Sequence, residues 1–198
     1  LHPRVRRQRQ MCIRDRYTTM IAGKWQLGRN RNLPNHFGFD HYCLWQLSYD
    51  RMIKERYAAP LIEQDGNIKL YSNNEYGPDI FTQYVIDFIE ENKTKPFFIY
   101  YPMVLVHNPF YPTPQSDVWK DPSMREVRNT ANFTKMVEHV DKNINMIFNK
   151  LENLNLLNNT IIIFIGDNGT NRNIRTTMKD GTIAVSYTHL TLPTNSRV

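Results

Sequence analysis

The chain has 198 residues, a formal net charge of +6 and 40% hydrophobic residues, which is an ordinary composition for one globular domain. The positive charge is concentrated in residues 1–16, which hold six arginines and one acid, and residues 17–185 are neutral. The charge of residues 17–185 therefore does not indicate a nucleic-acid partner. No apolar run reaches the roughly 18–20 residues of a transmembrane helix, so no membrane span is predicted. Two cysteines, Cys12 and Cys43, provide neither a disulfide framework nor a zinc-site spacing.

The two ends of the chain differ in character from the rest. Residues 1–16 and 185–198 look non-native, because residues 11–16 and 185–194 within them resemble translated sequencing-adaptor read-through. We therefore expect the natural segment to be about residues 17–184, cut at both ends. The alternative is that both ends are disordered polar termini. The first residues have no apolar stretch behind their charges and are not predicted to be a secretory signal.

The first predicted element is a short strand over residues 17–23, which leads into Lys24-Trp25-Gln26. A lysine just past a strand end can present a compact cation to an anion at the ligand-binding edge of an α/β sheet. The alternative is a solvated lysine beside a packed tryptophan. Residues 29–50 are predicted to be a loop, with a packed turn at residues 37–40.

The next elements are a hairpin and a helix. Residues 62–70 read as a small peripheral hairpin with Asp65-Gly66 as its turn. A helix is predicted to begin near Gly77-Pro78-Asp79, because proline and an acid are both favoured in a first helical turn. Apolar residues recur at a 3.6-residue period up to Ile89, which predicts that one helix face packs on a sheet.

Residues 97–101 are predicted to be a buried strand, and a proline-rich loop that contains His107 follows it. His107 is a candidate anion donor, and the alternative is a histidine bonded to backbone. A long amphipathic helix over residues 128–154 leads to a predicted strand at residues 160–165. Together these elements predict a right-handed βαβ unit with parallel strands.

Residues 161–165 are the most strand-like stretch of the chain. They are all apolar, four of the five are β-branched, and such a run is typical of a strand buried on both faces. Asp167 and Asn168 follow at once between two glycines, which places hard oxygen ligands at a strand end. The alternative is that both are simple turn residues.

Three of these segments resemble sulfatase motifs in the right order. Residues 23–28 resemble the family sequence Gly-Lys-Trp-His-Leu-Gly, residues 96–109 resemble its strand and His-x-Pro loop, and residues 163–169 resemble its second metal motif. Residues 17–184 are thus similar to part of a catalytic domain of an arylsulfatase-like enzyme. This resemblance implies an α/β fold of the alkaline phosphatase superfamily: an incomplete three-layer sandwich with a mainly parallel central sheet.

The resemblance also implies a chemistry. Sulfatases hydrolyse sulfate esters with a formylglycine nucleophile, made from Cys or Ser in a Cys/Ser-x-Pro-x-Arg motif, and with one divalent cation, usually Ca²⁺ with Mg²⁺ possible. By position, Asp167 and Asn168 would bind the metal, and Lys24 and His107 would contact sulfate oxygens. The implied partner is a sulfated small molecule or glycan, and the implied location is the periplasm or the cell exterior.

The sequence departs from the family pattern in three places. Gln26 stands where the family has a catalytic histidine, and it cannot accept a proton at neutral pH. The upstream Asp pair and the nucleophile motif are missing: Cys12 has the spacing to Arg16, but Arg14 stands where proline belongs and the motif lies too close to Lys24. After residue 182 the expected Gly-Gly-Lys segment does not follow. We therefore expect this chain by itself to be inactive.

Three other functions fit parts of the sequence. A phosphodiesterase or phosphonate hydrolase of the same superfamily would share the metal-bearing strand end. A non-catalytic protein that binds sulfated glycans would tolerate Gln26. Nucleic-acid binding would rely on the arginine-rich start alone, which residues 17–184 do not contain.

Overall fold

The computed structural model describes residues 17–48, 56–72, 74–167, 169, 171, 173–177 and 179–185. Its helices and strands are, in chain order, β1 (Thr18–Gly23), α1 (Leu33–Phe37), β2 (His41–Trp45), β3 (Leu61–Gln64), β4 (Asn67–Leu70), α2 (Gly77–Glu91), β5 (Phe97–Tyr100), α3 (Asn132–Asn153), β6 (Arg175–Thr177) and β7 (Ile183–Val185). No helix in these residues is long and apolar enough to cross a membrane.

The centre of the fold is a five-stranded sheet in the order β4-β3-β2-β1-β5. β1 is parallel to both of its neighbours, β2 and β5. β3 and β4 continue the sheet as antiparallel strands beyond β2, and β6 and β7 form a separate antiparallel pair. The three parallel strands therefore end at a common edge, and this edge carries the candidate site.

The two faces of the sheet are covered by different layers. Met20, Ala22 and Cys43 point into the larger core, which contains the buried face of α2. Ile21 and Leu44 point into a smaller core, which the side chains around α1 cover. Successive strand residues alternate between the two faces of a sheet, so the burial of every residue of β1 after Thr18 shows that both faces of this strand are covered. The predicted α/β layering is confirmed, in an incomplete form.

α2 and α3 pack together on one side of the sheet. The predicted start of α2 is confirmed, with Pro78 in its first turn and Asp79 close behind. α3 confirms the long amphipathic helix, but its buried face is not purely apolar: Val137 is exposed, whereas the polar His139 is fully buried. The reason is a polar contact with α2, since His139 Nε2 lies 2.7 Å from Asp79 Oδ1.

Two predictions about the chain between β1 and α2 are wrong. The predicted loop at residues 29–50 contains α1 and the central strand β2. The packed turn at residues 37–40 is present, where Asp40 accepts a hydrogen bond from the Thr19 backbone N–H at 2.9 Å and so seats β2 beside β1. The predicted hairpin is confirmed with Asp65-Gly66 at its turn, but it is not peripheral, because β3 pairs with β2.

The prediction of a buried strand at residues 160–165, and with it the βαβ unit, is wrong for this structure. The segment has no strand pairing, and Ile161 and Ile163 are 89% and 75% exposed. A strand forms only beside a partner, and no described strand lies next to this segment. β5 is likewise only half-buried, because it is the edge strand and its outer face leaves Phe98 and Tyr100 exposed.

Candidate functional site

The end of β1 and the chain after β5 meet in a backbone contact at Gly23. Gly23 has a φ of +104°, and a Cβ added there would lie 2.3 Å from the Pro102 carbonyl oxygen. Only glycine suits both the positive φ and the close approach. The next residue continues the contact, since the Lys24 N–H donates to the Pro102 carbonyl at 2.9 Å. Lys24 is thereby held at the carboxyl edge of the sheet, directly beside the loop that carries His107.

The Trp25 ring anchors this turn to the body of the protein. Its side chain is buried in the smaller core and meets the Phe37 ring edge-on at a centroid distance of 5.6 Å. The chain then turns back to solvent: Gln26 has a positive φ of 54° and is exposed, and Lys24 on the other side is half-buried. The anchor thus presents both polar neighbours of the tryptophan at the edge of the sheet.

His107 lies on a loop that is fixed by a buried tyrosine. The Tyr57 hydroxyl donates to the His107 carbonyl at 2.7 Å and lies 3.3 Å from the Val104 carbonyl. Tyr57 itself is fully buried against the Tyr76 and Tyr111 rings. The loop also contains two cis peptide bonds, Leu105–Val106 and Asn108–Pro109. The Tyr57 hydroxyl holds the backbone of this loop, while the His107 imidazole, which contacts the Asn108 carbonyl, stays exposed.

The structure brings two of the predicted site segments together. β1 pairs with β5 up to Ile21 and Tyr100, so the residues that follow the two strands, Lys24 and the loop to His107, share one edge. An ammonium group and an imidazole are suited to bind a tetrahedral oxyanion, because both can donate hydrogen bonds to it. Beside them, the exposed Gln26 amide adds a neutral donor and acceptor.

The predicted metal ligands are not part of this arrangement. Asp167 is exposed on a bend after the unpaired segment at residues 161–165, and Asn168 lies outside the described residues. Within the described part of the chain, no three His, Cys, Asp or Glu side chains cluster closely enough to hold a metal ion. Ca²⁺ takes six to eight oxygen ligands, so the described residues do not form a calcium site.

Cys43 can be excluded as a nucleophile on physical grounds. It lies in the middle of β2 and is buried in the larger core. Burial raises the pKa of its thiol to about 12, so the thiol is neutral near pH 7. Because only the thiolate is an effective nucleophile, Cys43 is an inert core residue. Cys12 lies outside the described residues.

The sequence interpretation missed two residues at the same edge. Trp45 is the last residue of β2, and the Arg56 guanidinium carbon lies 4.7 Å from the centre of its ring. β2 was predicted to be loop, so nothing in the sequence placed Trp45 at a strand end beside Lys24. The 11-residue separation of the pair gives no periodic signal for the contact.

The family model for Sulfatase matches residues 11–185 of the chain. Among curated proteins, the chain is 31% identical over 173 residues to an arylsulfatase of Hemicentrotus pulcherrimus, which covers 79% of this chain and 30% of the relative. It is 26% identical over 168 residues to the N-acetylgalactosamine-6-sulfatase of Rattus norvegicus, covering 77% of this chain and 30% of the relative. The chain thus spans about 30% of the length of these relatives.

Solved structures show the same fold at lower sequence identity. The protein Ps i-CgsB superposes with a TM-score of 0.56 at 20% identity, over 75% of this chain and 36% of its own. A Bacteroides thetaiotaomicron protein of glycosaminoglycan metabolism gives a TM-score of 0.56 at 18% identity, over 77% of this chain and 43% of its own. These likenesses support the incomplete α/β sandwich.

Proposed function

Because this chain belongs to the sulfatase family, we propose that the whole protein of which it forms a part hydrolyses sulfate esters as an arylsulfatase-like enzyme. The observation that carries the proposal is the family match over residues 11–185. The sheet edge at Lys24 adds physical support, because it offers positive and hydrogen-bonding groups for a sulfate. No described feature favours the phosphodiesterase or the non-catalytic binding protein.

In this proposal Lys24 and His107 bind the oxygens of the sulfate group. Transfer of a sulfuryl group builds up negative charge on those oxygens, and a preplaced ammonium stabilises the charge without reorganising. The support is the fixed backbone on both sides: the Pro102 carbonyl holds Lys24, and Tyr57 holds the His107 carbonyl. Gln26 would orient the nucleophile by a hydrogen bond but would not take up a proton at neutral pH.

The proposed cofactors belong to the whole protein. We expect a formylglycine nucleophile and one divalent cation, Ca²⁺ or alternatively Mg²⁺, which would supply a Lewis acid when bound. Asp167 and Asn168 stay predicted ligands for it. The described residues by themselves do not form such a site, so further oxygen ligands would have to come from outside the described residues.

The proposed substrate is a sulfated saccharide. Two named relatives support this: N-acetylgalactosamine-6-sulfatase of Rattus norvegicus, and the Ps i-CgsB protein, whose structure was solved in complex with k-i-k-neocarrahexaose. Export to the periplasm or the cell exterior follows from family analogy.

Kinetics of the whole protein with an aryl sulfate test this function. Changing Lys24→Ala is expected to lower kcat/KM about 100-fold or more, the usual effect of losing one transition-state donor. Lys69→Ala is the matched control, because Lys69 lies on the outermost strand β4, three strands away from β1, where its ammonium donates to Gln64. Equal kcat/KM values for the two variants would refute the role of Lys24.

We also expect the 198-residue chain alone to show no turnover of an aryl sulfate with Ca²⁺ present, because it has no nucleophile motif. Turnover that disappears with Lys24→Ala would contradict this expectation. Turnover that survives Lys24→Ala would indicate a contaminating enzyme.

A further inference from the structure

The Arg56 side chain contacts two aromatic rings, one next to Lys24 and one bonded to the loop that carries His107. Its guanidinium carbon is 4.7 Å from the centre of the Trp45 ring and 5.7 Å from that of Tyr57. Leu44 of β2 pairs with Gly23 of β1. The residues that follow this pair, Trp45 and Lys24, therefore lie beside each other at the ends of the two strands. Tyr57 is the residue that bonds the His107 carbonyl. Arg56 therefore belongs to the same edge of the sheet as the candidate site.

Two donor atoms of the Arg56 guanidinium have no acceptor among the described residues. Its Nε and Nη1 atoms are buried, and neither has a hydrogen-bond partner among the residues that the structure describes. A guanidinium has five N–H donors and is always charged, so leaving them desolvated and unpaired is unfavourable. An arginine in this state is suited to receive an anion.

A second arginine in the same chain shows the contrast. Arg125 also stacks on a tryptophan, with its guanidinium carbon 4.9 Å from the centre of the Trp119 ring. Its Nε donates to the Trp119 carbonyl and its Nη1 to Asn74 Oδ1, both at 2.8 Å. The protein thus satisfies the guanidinium of Arg125 with its own acceptors, whereas the buried Nε and Nη1 of Arg56 have no acceptor among the described residues.

We propose that Arg56, stacked on Trp45, binds a second acidic group of the substrate, a sulfate or a carboxylate on the same saccharide as the sulfate that is hydrolysed. This inference rests on the proposed function. Neighbouring strands lie about 4.8 Å apart, so the end of β2 is displaced from the end of β1 by a distance comparable with a sugar ring. The planar guanidinium matches both sulfate and carboxylate oxygens with paired hydrogen bonds.

The platform under Arg56 is rigid enough for such a contact. The Ser48 N–H and hydroxyl, three residues after Trp45, both donate to Glu63 Oε1 at 2.6 and 2.7 Å. Glu63 is fully buried on β3, and Arg31 Nε lies 3.1 Å from its second oxygen. The turn after β2 is therefore fixed to the sheet, and Trp45 with it.

Competition kinetics on the whole protein test the proposal. Hydrolysis of an aryl sulfate is measured with three saccharide inhibitors that carry one sulfate, two sulfates, or one sulfate and one carboxylate. We expect the wild-type protein to bind at least one diacidic saccharide about tenfold more tightly than the monosulfated one. Arg56→Met should abolish that preference while changing kcat/KM for the aryl sulfate by less than about twofold.

Arg128→Met is the matched control. Its guanidinium carbon also lies over an aromatic ring, 6.0 Å from the centre of Tyr111, but its Nε already donates to the Tyr111 hydroxyl at 3.2 Å. This variant should keep the preference, and equal thermal midpoints would show that both variants are folded. The two diacidic inhibitors distinguish a sulfate from a carboxylate as the group that Arg56 binds.

Two results would overturn the role of Arg56: equal inhibition constants for all three saccharides in the wild-type protein, or a preference that survives Arg56→Met. A wild-type protein that hydrolyses no aryl sulfate would instead overturn the proposed function. In that case calorimetric titration of the same saccharides decides on Arg56 separately, since a preference lost in Arg56→Met supports the contact and an unchanged one refutes it.

Discussion

The close approach at Gly23 yields a prediction that stability measurements can check. We expect Gly23→Ala to destabilise the fold strongly, because the new methyl group would lie 2.3 Å from the Pro102 carbonyl oxygen. Gly66→Ala is the matched control. Gly66 also has a positive φ, of +84°, but a Cβ there would meet nothing within 4 Å. The two variants therefore share the backbone strain and differ in the collision.

The magnitude follows from these two terms. A side chain in the left-handed region costs about 1–2 kcal/mol, which is the full effect expected at Gly66. Relieving the collision at Gly23 must also separate β1 from the chain after β5, which weakens the 2.9 Å hydrogen bond from Lys24 to Pro102. Overpacking of this kind adds about 1–3 kcal/mol. We thus expect Gly23→Ala to lower the free energy of unfolding by about 2 kcal/mol more than Gly66→Ala.

Urea unfolding followed by tryptophan fluorescence measures this difference. Trp25, two residues from Gly23, is buried and contributes to the emission together with Trp45 and Trp119, so the signal follows the unfolding of the whole fold. The midpoint should fall much further for Gly23→Ala, with similar m-values for both variants. Equal free energies of unfolding would show that β1 and the loop after β5 do not meet as described, and the placement of Lys24 would be wrong with them.

Two further predictions concern the loop that carries His107 and the pair of helices α2 and α3. Tyr57→Phe removes the hydroxyl that donates to the His107 carbonyl at 2.7 Å. This change should lower the free energy of unfolding by about 1–2 kcal/mol and speed amide hydrogen exchange in the loop, and unchanged exchange would contradict the contact. Hydrogen bonds from Lys150 and then Lys93 hold the pKa of Glu90 at about 2, so its stabilising effect is complete above its ordinary value of about 4.3 and is lost as the pH falls toward 2. Melting temperatures should therefore fall more steeply for wild type than for Glu90→Gln below pH 4.5, and parallel curves would refute the pairing of α2 with α3.

Local sequence signals were sufficient to predict the elements that begin or end at a turn residue or a helix cap, or that repeat an apolar face. The Asp65-Gly66 turn, the Pro78 helix start and the long periodicity of α3 were all predicted and are all present. In each case the cause is local, namely a turn residue, a helix cap or a repeating apolar face. β1 was predicted for a similar reason, as a β-prone run that ends at a glycine.

Elements that depend on a distant partner were harder to predict. β2 is short, and its place in the sheet depends on Asp40 bonding Thr19 and on pairing with β1, neither of which leaves a local pattern. The buried His139 likewise depends on Asp79, sixty residues away. Such contacts appear only when the chain folds back on itself.

At residues 161–165 a strand was predicted that the structure does not contain. The composition of this segment is that of a central strand, yet the segment is exposed because no described strand lies beside it. Strand propensity reflects packing against neighbours more than an intrinsic backbone preference. The candidate site follows the same rule: Lys24 and the His107 loop meet because β1 and β5 pair, whereas Asp167 follows an unpaired segment.

The central claim is that the whole protein is a sulfate ester hydrolase whose sheet edge at Lys24 binds the sulfate. The most direct measurement compares its kcat/KM for an aryl sulfate and for the matching aryl phosphodiester, in wild type and in Lys24→Ala. We predict a clear preference for the sulfate ester, with the sulfatase activity lost in the variant. A preference for the phosphodiester, or tight binding of sulfated saccharides without any turnover, would contradict the account.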